Sequence, residues 1–338
     1  MAKRRLSEQQ VQRIRASRDA KVQRATQAAG ACEDAPSGDE KMGLVVGHYG
    51  SFVEIEPLPI TQPRCIYPCH FRASLGSQLT AGDRVVYRSG TSGPGVVEAI
   101  MDRHSLLARP DTRGMLRPVA ANVDFIVLVI AASPTPSTAL IDRYLVAAEL
   151  QGIEVRLLLN KIDLATPNER AALQEMLAVY PTIGYTILEC SAHTGEGMAA
   201  LQQALEASIS IFVGQSGVGK SSLVNALLPD ANARVGEISS ASQLGRHTTT
   251  NSRLFHFRAG GSIIDSPGIR EFGLWHLQAD QIVEGFREFL PFLGQCRFSD
   301  CQHRKEPGCA LREAIAEGKI NPARLESYFR LREKTQAP

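Results

Sequence analysis

The sequence predicts a multidomain protein in which an N-terminal antiparallel β-barrel is followed by a central α/β domain and a helical C-terminal domain. With 338 residues, the chain is longer than one ordinary hydrophobic core requires. Short alternating strands fill residues 42–115, nearly all-apolar strands alternate with helices over 116–277, and cysteines and a histidine cluster within 278–338. The 43% share of apolar residues excludes a chain that is disordered throughout.

Residues 1–41 precede these domains, and their composition predicts a basic, flexible tail. Between residues 1 and 30, eight Lys and Arg residues stand against two acidic residues, although the whole chain has a net charge of only +2. This composition is typical of an arm that binds nucleic acid, and a solubilising or organelle-targeting tail has a similar one.

The sequence contains no pattern that predicts a membrane segment or a secretion signal. No apolar run approaches the roughly 20 residues that span a bilayer, and the N-terminus lacks the apolar centre of a signal peptide. We therefore expect a cytoplasmic protein that has no membrane partner. Because no coiled-coil pattern is present, we expect a monomer.

Residues 42–115 contain four or five short strands that are separated by turn residues. The segment GLVVGHYGSFVEIEP predicts a hairpin that turns at Tyr49-Gly50-Ser51. Further strands follow at hairpin spacing in CIYPCHF, DRVVY and GVVEAIMDRH. This pattern predicts a small barrel of the OB-fold type, an architecture that often binds RNA.

The central domain is predicted from four apolar strands, DFIVLVIAA, EVRLLLN, YTILECSA and SISIFVG, with helices between them. Alternating buried strands and helices indicate a parallel sheet that is covered on both faces. Ligands bind such sheets at the carboxyl ends of the strands. We therefore expect the chemistry-bearing motifs to lie there.

A phosphate-binding loop directly follows the fourth apolar strand. It matches the pattern G-x4-G-K-[ST], in which glycines let backbone N–H groups turn toward phosphates and the following helix adds positive potential. Lys220 is expected to reach the β- and γ-phosphates, and the Ser221 hydroxyl is expected to bind Mg²⁺. The predicted nucleotide-binding residues of this segment are Gly214, Gln215, Ser216, Gly217, Val218, Gly219, Lys220, Ser221 and Ser222.

Two further segments predict that the base is guanine. Asn160, Lys161, Ile162 and Asp163 end the second strand, where a carboxylate can accept from guanine N1–H and its amino group together. Adenine presents an acceptor at N1, so it cannot make this paired contact, and its loss in a buried site is costly. At the end of the next strand lie Ser191 and Ala192, and we expect the Ala192 amide to face guanine O6.

The metal and γ-phosphate contacts are predicted downstream of the phosphate loop. Asp265 ends an apolar strand in the pattern D-x-x-G, so it would hold Mg²⁺ through water while the Gly268 N–H senses the γ-phosphate. One threonine of Thr248-Thr249-Thr250, for which we choose Thr250, is expected to complete the Mg²⁺ shell, although the run could also be an ordinary loop.

The order of these motifs predicts a circularly permuted GTPase domain. In ordinary GTPases the phosphate loop comes first and N-K-x-D late, whereas here N-K-x-D at 160 precedes the loop at 214 and D-x-x-G at 265. The segment that responds to the γ-phosphate therefore leads directly into the C-terminal domain. Nucleotide state can be transmitted to that domain along the chain.

The C-terminal domain carries a metal-binding pattern. Cys296, Cys301, His303 and Cys309 supply three thiolates and one imidazole, which fit a closed tetrahedral site for one structural Zn²⁺. We expect the metal to contribute much of the folding energy of this short segment. By contrast, Cys65, Cys69 and His70 offer only three ligands.

Together, the permuted motifs, GRHTTT, DSPGIREFGLWHL and CRFSDCQHRKEPGC resemble the ribosome small-subunit-dependent GTPase A family over about residues 42–335. The resemblance implies an OB-fold, a permuted GTPase domain and a zinc domain. It also implies a role in late maturation of the 30S subunit, with binding near the decoding region of its 16S rRNA. Family members hydrolyse GTP slowly alone and faster on the subunit, then leave, and are associated with the release of other assembly factors.

A second interpretation is an RNA-binding module of barrel and zinc domain in which the nucleotide is mainly structural. The intact Lys220, Ser221 and Asp265 favour the enzyme, and nothing supports a third option, a GTPase of membrane trafficking. Basic residues outside the tail that could meet RNA phosphates are Arg64, Arg72, Arg84, Arg88, Arg297, Arg304 and Lys305.

His247 is the candidate catalytic residue. Ile269 follows Gly268 at the position where Ras-like enzymes place a glutamine that orients the attacking water, and a hydrophobic side chain cannot do this. His247, in the loop expected to face the γ-phosphate, is the best replacement, and the family resemblance points the same way. The alternative is that His247 is a loop residue that contacts RNA.

We expect His247→Ala to abolish the stimulation of GTP turnover by small ribosomal subunits while GTP affinity stays nearly unchanged, because the imidazole acts on water and not on the nucleotide. Steady-state turnover with and without subunits, beside equilibrium nucleotide binding, tests this. Weakened nucleotide binding with normal turnover per bound GTP would contradict it.

Overall fold

The computed structural model describes residues 39–50, 52–72, 75, 78–90, 93–110, 115–228, 252–265 and 280–336. Two compact units divide the chain. The first lies within Met1–Val123, Leu244–Phe255 and Ile263–Pro267, and the second within Asp124–Gln243, His256–Ser262 and Gly268–Pro338. Within the described part of the chain, no helix is both long and apolar enough to cross a membrane.

A closed barrel forms most of the first unit. Its strands are β1 (Glu40–His48), β2 (Val53–Pro57), β3 (Tyr67–Phe71), β4 (Arg84–Arg88) and β5 (Gly95–Ile100). They pair in the order β1-β2-β3-β5-β4, and β4 pairs with β1 to close the barrel. This five-stranded connectivity is that of an OB-fold. The Tyr49 amide donates to the Phe52 carbonyl at 2.9 Å, so the first hairpin turns where the sequence predicted.

Strand β1 begins earlier than the sequence predicted. Glu40 and Lys41 pair with Arg88 and Tyr87 of β4, and the Glu40 carboxylate accepts from Arg88 at 2.8 Å. Residues 40 and 41, which the sequence analysis placed in the tail 1–41, belong to β1 in the structure, where backbone pairing with β4 continues to Glu40. The prediction of a flexible tail over residues 1–38 lies outside the described residues.

A separate two-stranded hairpin follows the barrel, and the sequence did not reveal it. Its strands are β6 (Leu106–Pro110) and β7 (Leu116–Ala121). Its base is fixed to the barrel, because the Ala121 amide donates to the Ala81 carbonyl at 3.0 Å. At the adjoining Gly82, with a φ of +89°, a Cβ atom would lie 2.0 Å from the Ala121 carbonyl oxygen, so only glycine fits.

The second unit contains a parallel sheet with helices between its strands. The elements are β8 (Phe125–Ala131), α1 (Thr138–Glu149), β9 (Glu154–Asn160), α2 (Pro167–Leu177), α3 (Val179–Thr182), β10 (Thr186–Glu189), α4 (Met198–Leu205), β11 (Ile209–Val213) and α5 (Lys220–Leu227). The strands lie in the order β10-β9-β8-β11 and pair in parallel. Every residue of β8 is buried, as its all-apolar sequence predicted.

Strands β12 (Arg253–His256) and β13 (Ser262–Asp265) follow in the sequence. Arg253 is paired with Gly47, which adds β12 antiparallel to the barrel strand β1. The first unit therefore contains residues that precede the parallel sheet in the sequence and residues that follow it.

The C-terminal segment packs on helix α1 of the second unit. It contains 3₁₀ turns at Ile282–Gly285 and Leu290–Phe292 and the helices α6 (Ala310–Ala316) and α7 (Pro322–Gln336). Phe286, Phe289 and Tyr328 form a buried cluster that includes Val146 of α1. A Cβ atom at Gly285 would lie 2.5 Å from a Val146 methyl carbon, which shows how closely the two segments approach.

A buried group of charges joins the same two segments. The Arg324 guanidinium, only 2% exposed, donates to Asp142 of α1 and, through Nε, to the Glu288 carboxylate at 2.6 Å. The Tyr180 hydroxyl also donates to Asp142, at 2.9 Å. Burial raises the pKa of the Asp142 carboxyl, and the Arg324 charge opposes that rise.

We expect Arg324→Met to lower the free energy of unfolding by about 3–5 kcal/mol, because it leaves Asp142 and Glu288 buried without their cation. Arg330→Met on the same helix is the matched control, since that arginine is 54% exposed and pairs with Glu326 at the surface, where we expect less than about 1 kcal/mol. Urea unfolding followed by circular dichroism measures both. Equal losses in the two variants would contradict the expectation.

Candidate nucleotide and metal sites

The loop between β11 and α5 has the backbone conformation that its glycines allow. Gly214, Gly217 and Gly219 have φ values of +136°, +83° and +94°. The Lys220 ammonium, at the start of α5, donates to the carbonyls of Gly214 and Gln215 at 2.7 and 2.6 Å. Its charge is thereby held at the mouth of this loop, together with the first N–H groups of the helix.

Close packing explains why two of these positions must be glycine. A Cβ atom at Gly214 would lie 2.2 Å from the Val129 carbonyl oxygen, and one at Gly219 would lie 2.4 Å from the Asn160 amide nitrogen. The loop is therefore pressed against the ends of β8 and β9. Ser216, Ser221 and Ser222 are exposed, whereas Val218 is buried beneath the loop.

Asn160 connects the phosphate loop to the segment that follows β10. Its side chain is 1% exposed, and its Nδ2 donates to the Val218 carbonyl at 2.9 Å. Its Oδ1 accepts from the Ala192 amide at 3.2 Å and from the Cys190 thiol at 3.6 Å. Because burial raises the pKa of Cys190 to about 12, the thiol remains protonated and can donate.

The chain turns sharply after Asn160, and the Asp163 side chain that is predicted to contact the base is exposed to solvent. Lys161 has a φ of +60°, and its ammonium donates to the carbonyls of Ser133 at 3.0 Å and Gly217 at 2.5 Å. Ile162 is buried, while Asp163 of the following 3₁₀ turn is exposed. The Lys161 side chain thus crosses between the two loops, and the Asp163 carboxylate remains accessible.

Ser191 shapes the second segment predicted to contact the base. Its buried hydroxyl accepts from the amides of His193 at 3.2 Å and Thr194 at 3.0 Å, which closes a tight turn. Ala192, in this turn, donates its amide to Asn160 in this structure. The contact of that amide with guanine O6 stays a prediction.

In the first unit, the strand that follows the threonine run is fixed to the barrel. Arg253 of β12 donates to the Tyr49 hydroxyl at 2.9 Å and forms an ion pair with Glu54 at 3.1 Å. The buried hydroxyls of Thr80 and Ser252 lie 3.3 Å apart within hydrogen-bond distance. Asp265 ends β13 in the same unit and is half-buried.

His247, Thr250 and Gly268 lie outside the described residues, as do Thr248 and Thr249. Their roles in hydrolysis, Mg²⁺ binding and γ-phosphate sensing stay predictions.

Cys296, Cys301, His303 and Cys309 converge in the C-terminal segment. Their ligand atoms all lie within 4.8 Å of one another. The His303 Nδ1 atom is 3.6 Å from the sulfurs of Cys296 and Cys301 and 3.4 Å from that of Cys309. A tetrahedral ion with bonds of about 2.3 Å to sulfur and about 2.0 Å to nitrogen separates these atoms by about 3.6 Å. The four side chains therefore fit a metal of tetrahedral preference.

The backbone around this cluster has a conformation that suits a metal site. His303 has a φ of +62°, a conformation that few non-glycine residues adopt. The Glu306 carboxylate accepts from the amides of Gln302 and Lys305 at 3.1 and 2.9 Å. Its pKa is lowered most by a hydrogen bond from its own backbone amide, and the bonds from Lys305 and Gln302 lower it further. Burial raises the pKa of Cys301 to about 12 and lowers that of His303. A bound cation would reverse the first effect, because it favours the thiolate.

Sequence reasoning missed the residues that hold these sites together. Asn160 was predicted as part of a base-recognition motif, but its link to Val218 depends on the approach of two loops 58 residues apart. The contact between Arg253 and Tyr49 spans 204 residues. Neither contact has a local pattern, so only a comparison of covarying positions could have indicated them.

The chain resembles known proteins over nearly its whole length. The family model described as RsgA GTPase matches residues 100–275. A Pseudomonas fluorescens (strain SBW25) protein named small ribosomal subunit biogenesis GTPase RsgA is 52% identical over 334 residues, 97% of this chain and 96% of that protein. A Pseudomonas putida (strain ATCC 700007) protein of the same name is 51% identical over 332 residues, with the same coverage.

Solved structures give the same result for the fold. YjeQ from Thermotoga maritima superposes with a TM-score of 0.72 at 32% identity, over 88% of this chain and 99% of that one. YloQ, described as a circularly permuted GTPase, gives a TM-score of 0.71 at 26% identity, over 91% and 99%. The predicted fold class, a barrel followed by a permuted α/β domain and a helical segment with a Cys/His cluster, is confirmed.

We expect Cys301→Ser to lose the bound metal and to lower the melting temperature, because three ligands hold the ion far less tightly than four and the C-terminal segment has a small core. Cys65→Ser is the matched control, since Cys65 lies between β2 and β3, outside the Cys/His cluster, and donates to the Pro63 carbonyl. Metal content by mass spectrometry and the spectrum of the Co²⁺-substituted protein measure the effect. Full metal content in Cys301→Ser would contradict the four-ligand assignment.

Proposed function

This chain belongs to the RsgA GTPase family, and on that premise we propose that it acts in late maturation of the small (30S) ribosomal subunit. It binds the subunit in the GTP state, hydrolyses GTP when the subunit stimulates it, and is then released. The observation that carries the proposal is the buried Asn160 side chain, which joins a phosphate-binding loop to a base-recognition turn.

In this proposal the second unit binds the nucleotide by its base and phosphates. Asp163 accepts from guanine N1–H and the amino group, and the loop from Gly214 to Gly219 surrounds the β-phosphate with N–H groups. The Lys220 ammonium then leaves its two loop carbonyls and contacts the β- and γ-phosphates. This exchange needs little movement, because the ammonium already lies at the loop.

Mg²⁺ would be held by Ser221, Asp265 and Thr250, and it would neutralise charge on the β- and γ-phosphates. The exposed Ser221 hydroxyl at the first turn of α5 is suited to this role. His247 would orient the attacking water. Hydrolysis gives GDP and phosphate, and the bond broken is that between the γ-phosphorus and its bridging oxygen.

The metal of the C-terminal segment is proposed to be one structural Zn²⁺, bound by Cys296, Cys301, His303 and Cys309. Three thiolates and one imidazole are ligands that zinc prefers, and four protein ligands leave no open position for substrate. The ion would hold the loop between the 3₁₀ turns and α6 in place against the core around Tyr328.

The OB-type barrel and the basic tail are proposed to contact the 16S rRNA of the subunit, and the protein is proposed to act as a cytoplasmic monomer. The barrel, the GTPase domain and the zinc domain predicted from the sequence are proposed to be the functional domains of the protein. The alternative function is an RNA-binding module in which the nucleotide is mainly structural. The glycine loop and Lys220 favour the enzyme.

The test is GTP turnover by the purified protein alone, with 30S subunits and with 50S subunits, with ATP as the control substrate. We expect slow turnover alone, stimulation of at least about tenfold by 30S subunits only, and none with ATP, because adenine cannot satisfy Asp163. Tight GTP binding without any stimulation would instead support the RNA-binding module. Stimulation by 50S subunits would contradict the choice of partner.

A further inference from the structure

The thiol of Cys190 is a buried group that the proposed mechanism does not use. Cys190 directly follows β10 and is fully buried, and its sulfur donates to the Asn160 Oδ1 atom at 3.6 Å. The backbone fixes its place, because its amide donates to the Leu159 carbonyl at 2.8 Å and its carbonyl accepts from the Ile162 amide at 3.4 Å. The sulfur is therefore held beside the Asn160 carboxamide.

Two donors share the Oδ1 atom of Asn160 within the described part of the chain. The Ala192 amide donates to it at 3.2 Å, and the Cys190 thiol donates at 3.6 Å. A carboxamide oxygen has two lone pairs, so it accepts both hydrogen bonds at once. Because burial raises the pKa of Cys190 to about 12, the thiol keeps its proton at neutral pH. Both donors are therefore available there, and the thiol is the weaker one.

A guanine base would take one of these donors away. In the proposed site the Ala192 amide faces guanine O6, and a single N–H group cannot point straight at two acceptors. Ala192 is half-buried and the following His193 is exposed, so the amide lies where a base can reach it. Asn160 is only 1% exposed, so solvent has little access to its oxygen. When O6 accepts from Ala192, the thiol is the donor that stays with Asn160.

We propose that Cys190 is a positioning residue of the guanine site, whose thiol satisfies the buried Asn160 oxygen when the base takes the Ala192 amide. The inference rests on the proposed function, since it takes guanine as the base. A buried carbonyl oxygen left without a donor costs more than a hydrogen bond contributes on average, so the thiol favours base binding. Cys190 acts through Asn160, which at the same time holds the phosphate loop at Val218.

The test compares GDP binding by the wild type, Cys190→Ala and Cys190→Ser in isothermal titration calorimetry. Alanine and serine leave nearly the same space where the sulfur was, so the difference between the two variants reports the donor. We expect Cys190→Ala to bind GDP at least about fivefold more weakly than the wild type, and Cys190→Ser, whose hydroxyl can donate, to bind within about twofold of it. Equal losses in both variants would make Cys190 a packing residue and overturn the proposal.

The matched control is Cys69→Ala. Cys69 is also fully buried, and burial also raises the pKa of its thiol, to about 11, but it lies in β3 of the barrel. We expect both alanine variants to lower the melting temperature and only Cys190→Ala to weaken GDP binding. A loss of GDP affinity of the same size in Cys69→Ala would assign the effect to general destabilisation and contradict the proposal.

Base analogues test whether the effect passes through O6. Inosine diphosphate keeps O6 but lacks the amino group, whereas 6-thio-GDP has at that position a sulfur, which is a weaker acceptor. We expect the affinity difference between Cys190→Ser and Cys190→Ala to be as large with inosine diphosphate as with GDP. With 6-thio-GDP it should fall below about twofold, because the Ala192 amide then stays with Asn160. The same difference with all three nucleotides would contradict the exchange of donors.

An infrared measurement on the wild type tests the proposal even if a variant does not fold. Once the Ala192 amide has left, the Cys190 thiol no longer shares the Asn160 oxygen, so its hydrogen bond strengthens. We therefore expect GDP, and not ADP, to shift one S–H stretching band to lower frequency in the difference spectrum. S–H bands that stay in place when GDP is bound would overturn the proposal.

A failure of this inference is distinguishable from a failure of the proposed function. If the wild type binds ADP as tightly as GDP, the proposed guanine site itself is wrong, and the role of Cys190 is lost with it. If the wild type prefers GDP and Cys190→Ala binds it equally well, only the role of Cys190 is wrong.

Discussion

The arrangement of the second unit depends on one buried carboxamide. Asn160 donates to the phosphate loop at Val218 and accepts from the turn at Ala192, so a single side chain fixes the distance between the two loops. A buried amide with its hydrogen bonds satisfied is rigid, since breaking any of them leaves a polar group without a partner in a dry site. The glycines extend this constraint, because the loops approach too closely for any Cβ atom.

Helix α1 and the residues just before it connect the phosphate loop to the C-terminal segment that contains the Cys/His cluster. Before the helix begins, the Ser133 carbonyl accepts from Lys161 beside the phosphate loop. Further along, Asp142 and Val146 contact Arg324 and the aromatic cluster of the C-terminal segment. The segment from Ser133 through Val146, which includes most of α1, therefore contacts both the nucleotide side and the metal side of this unit. Packed side chains therefore connect the nucleotide side to the C-terminal segment, in addition to the covalent connection that the permuted motif order predicted.

The sequence predicted those parts of the molecule whose cause is local. The all-apolar sequence of β8 predicted a buried strand, and the glycines before Lys220 predicted a loop with positive φ. The spacing of Cys296, Cys301, His303 and Cys309 predicted that these four side chains converge. The hairpin of β6 and β7 escaped prediction because Arg109, Pro110 and Arg117 break the apolar alternation that marks strands. The Arg324 charge group escaped because its partners, Asp142 and Glu288, are distant in the sequence and look like surface residues there.

The attachment of β12 to the barrel has a consequence for biosynthesis. The partners of Thr80 and Tyr49, namely Ser252 and Arg253, are made 172 and 204 residues later. At a translation rate of about 5–20 residues per second, the barrel leaves the ribosome roughly 10–40 s before its edge can be completed. During that interval β1 exposes an unfilled edge beside Gly47, the kind of edge that invites pairing with another chain. The nascent barrel is closed by β1 and β4 before β12 exists, and only the end of β1 near Gly47 waits for its last partner.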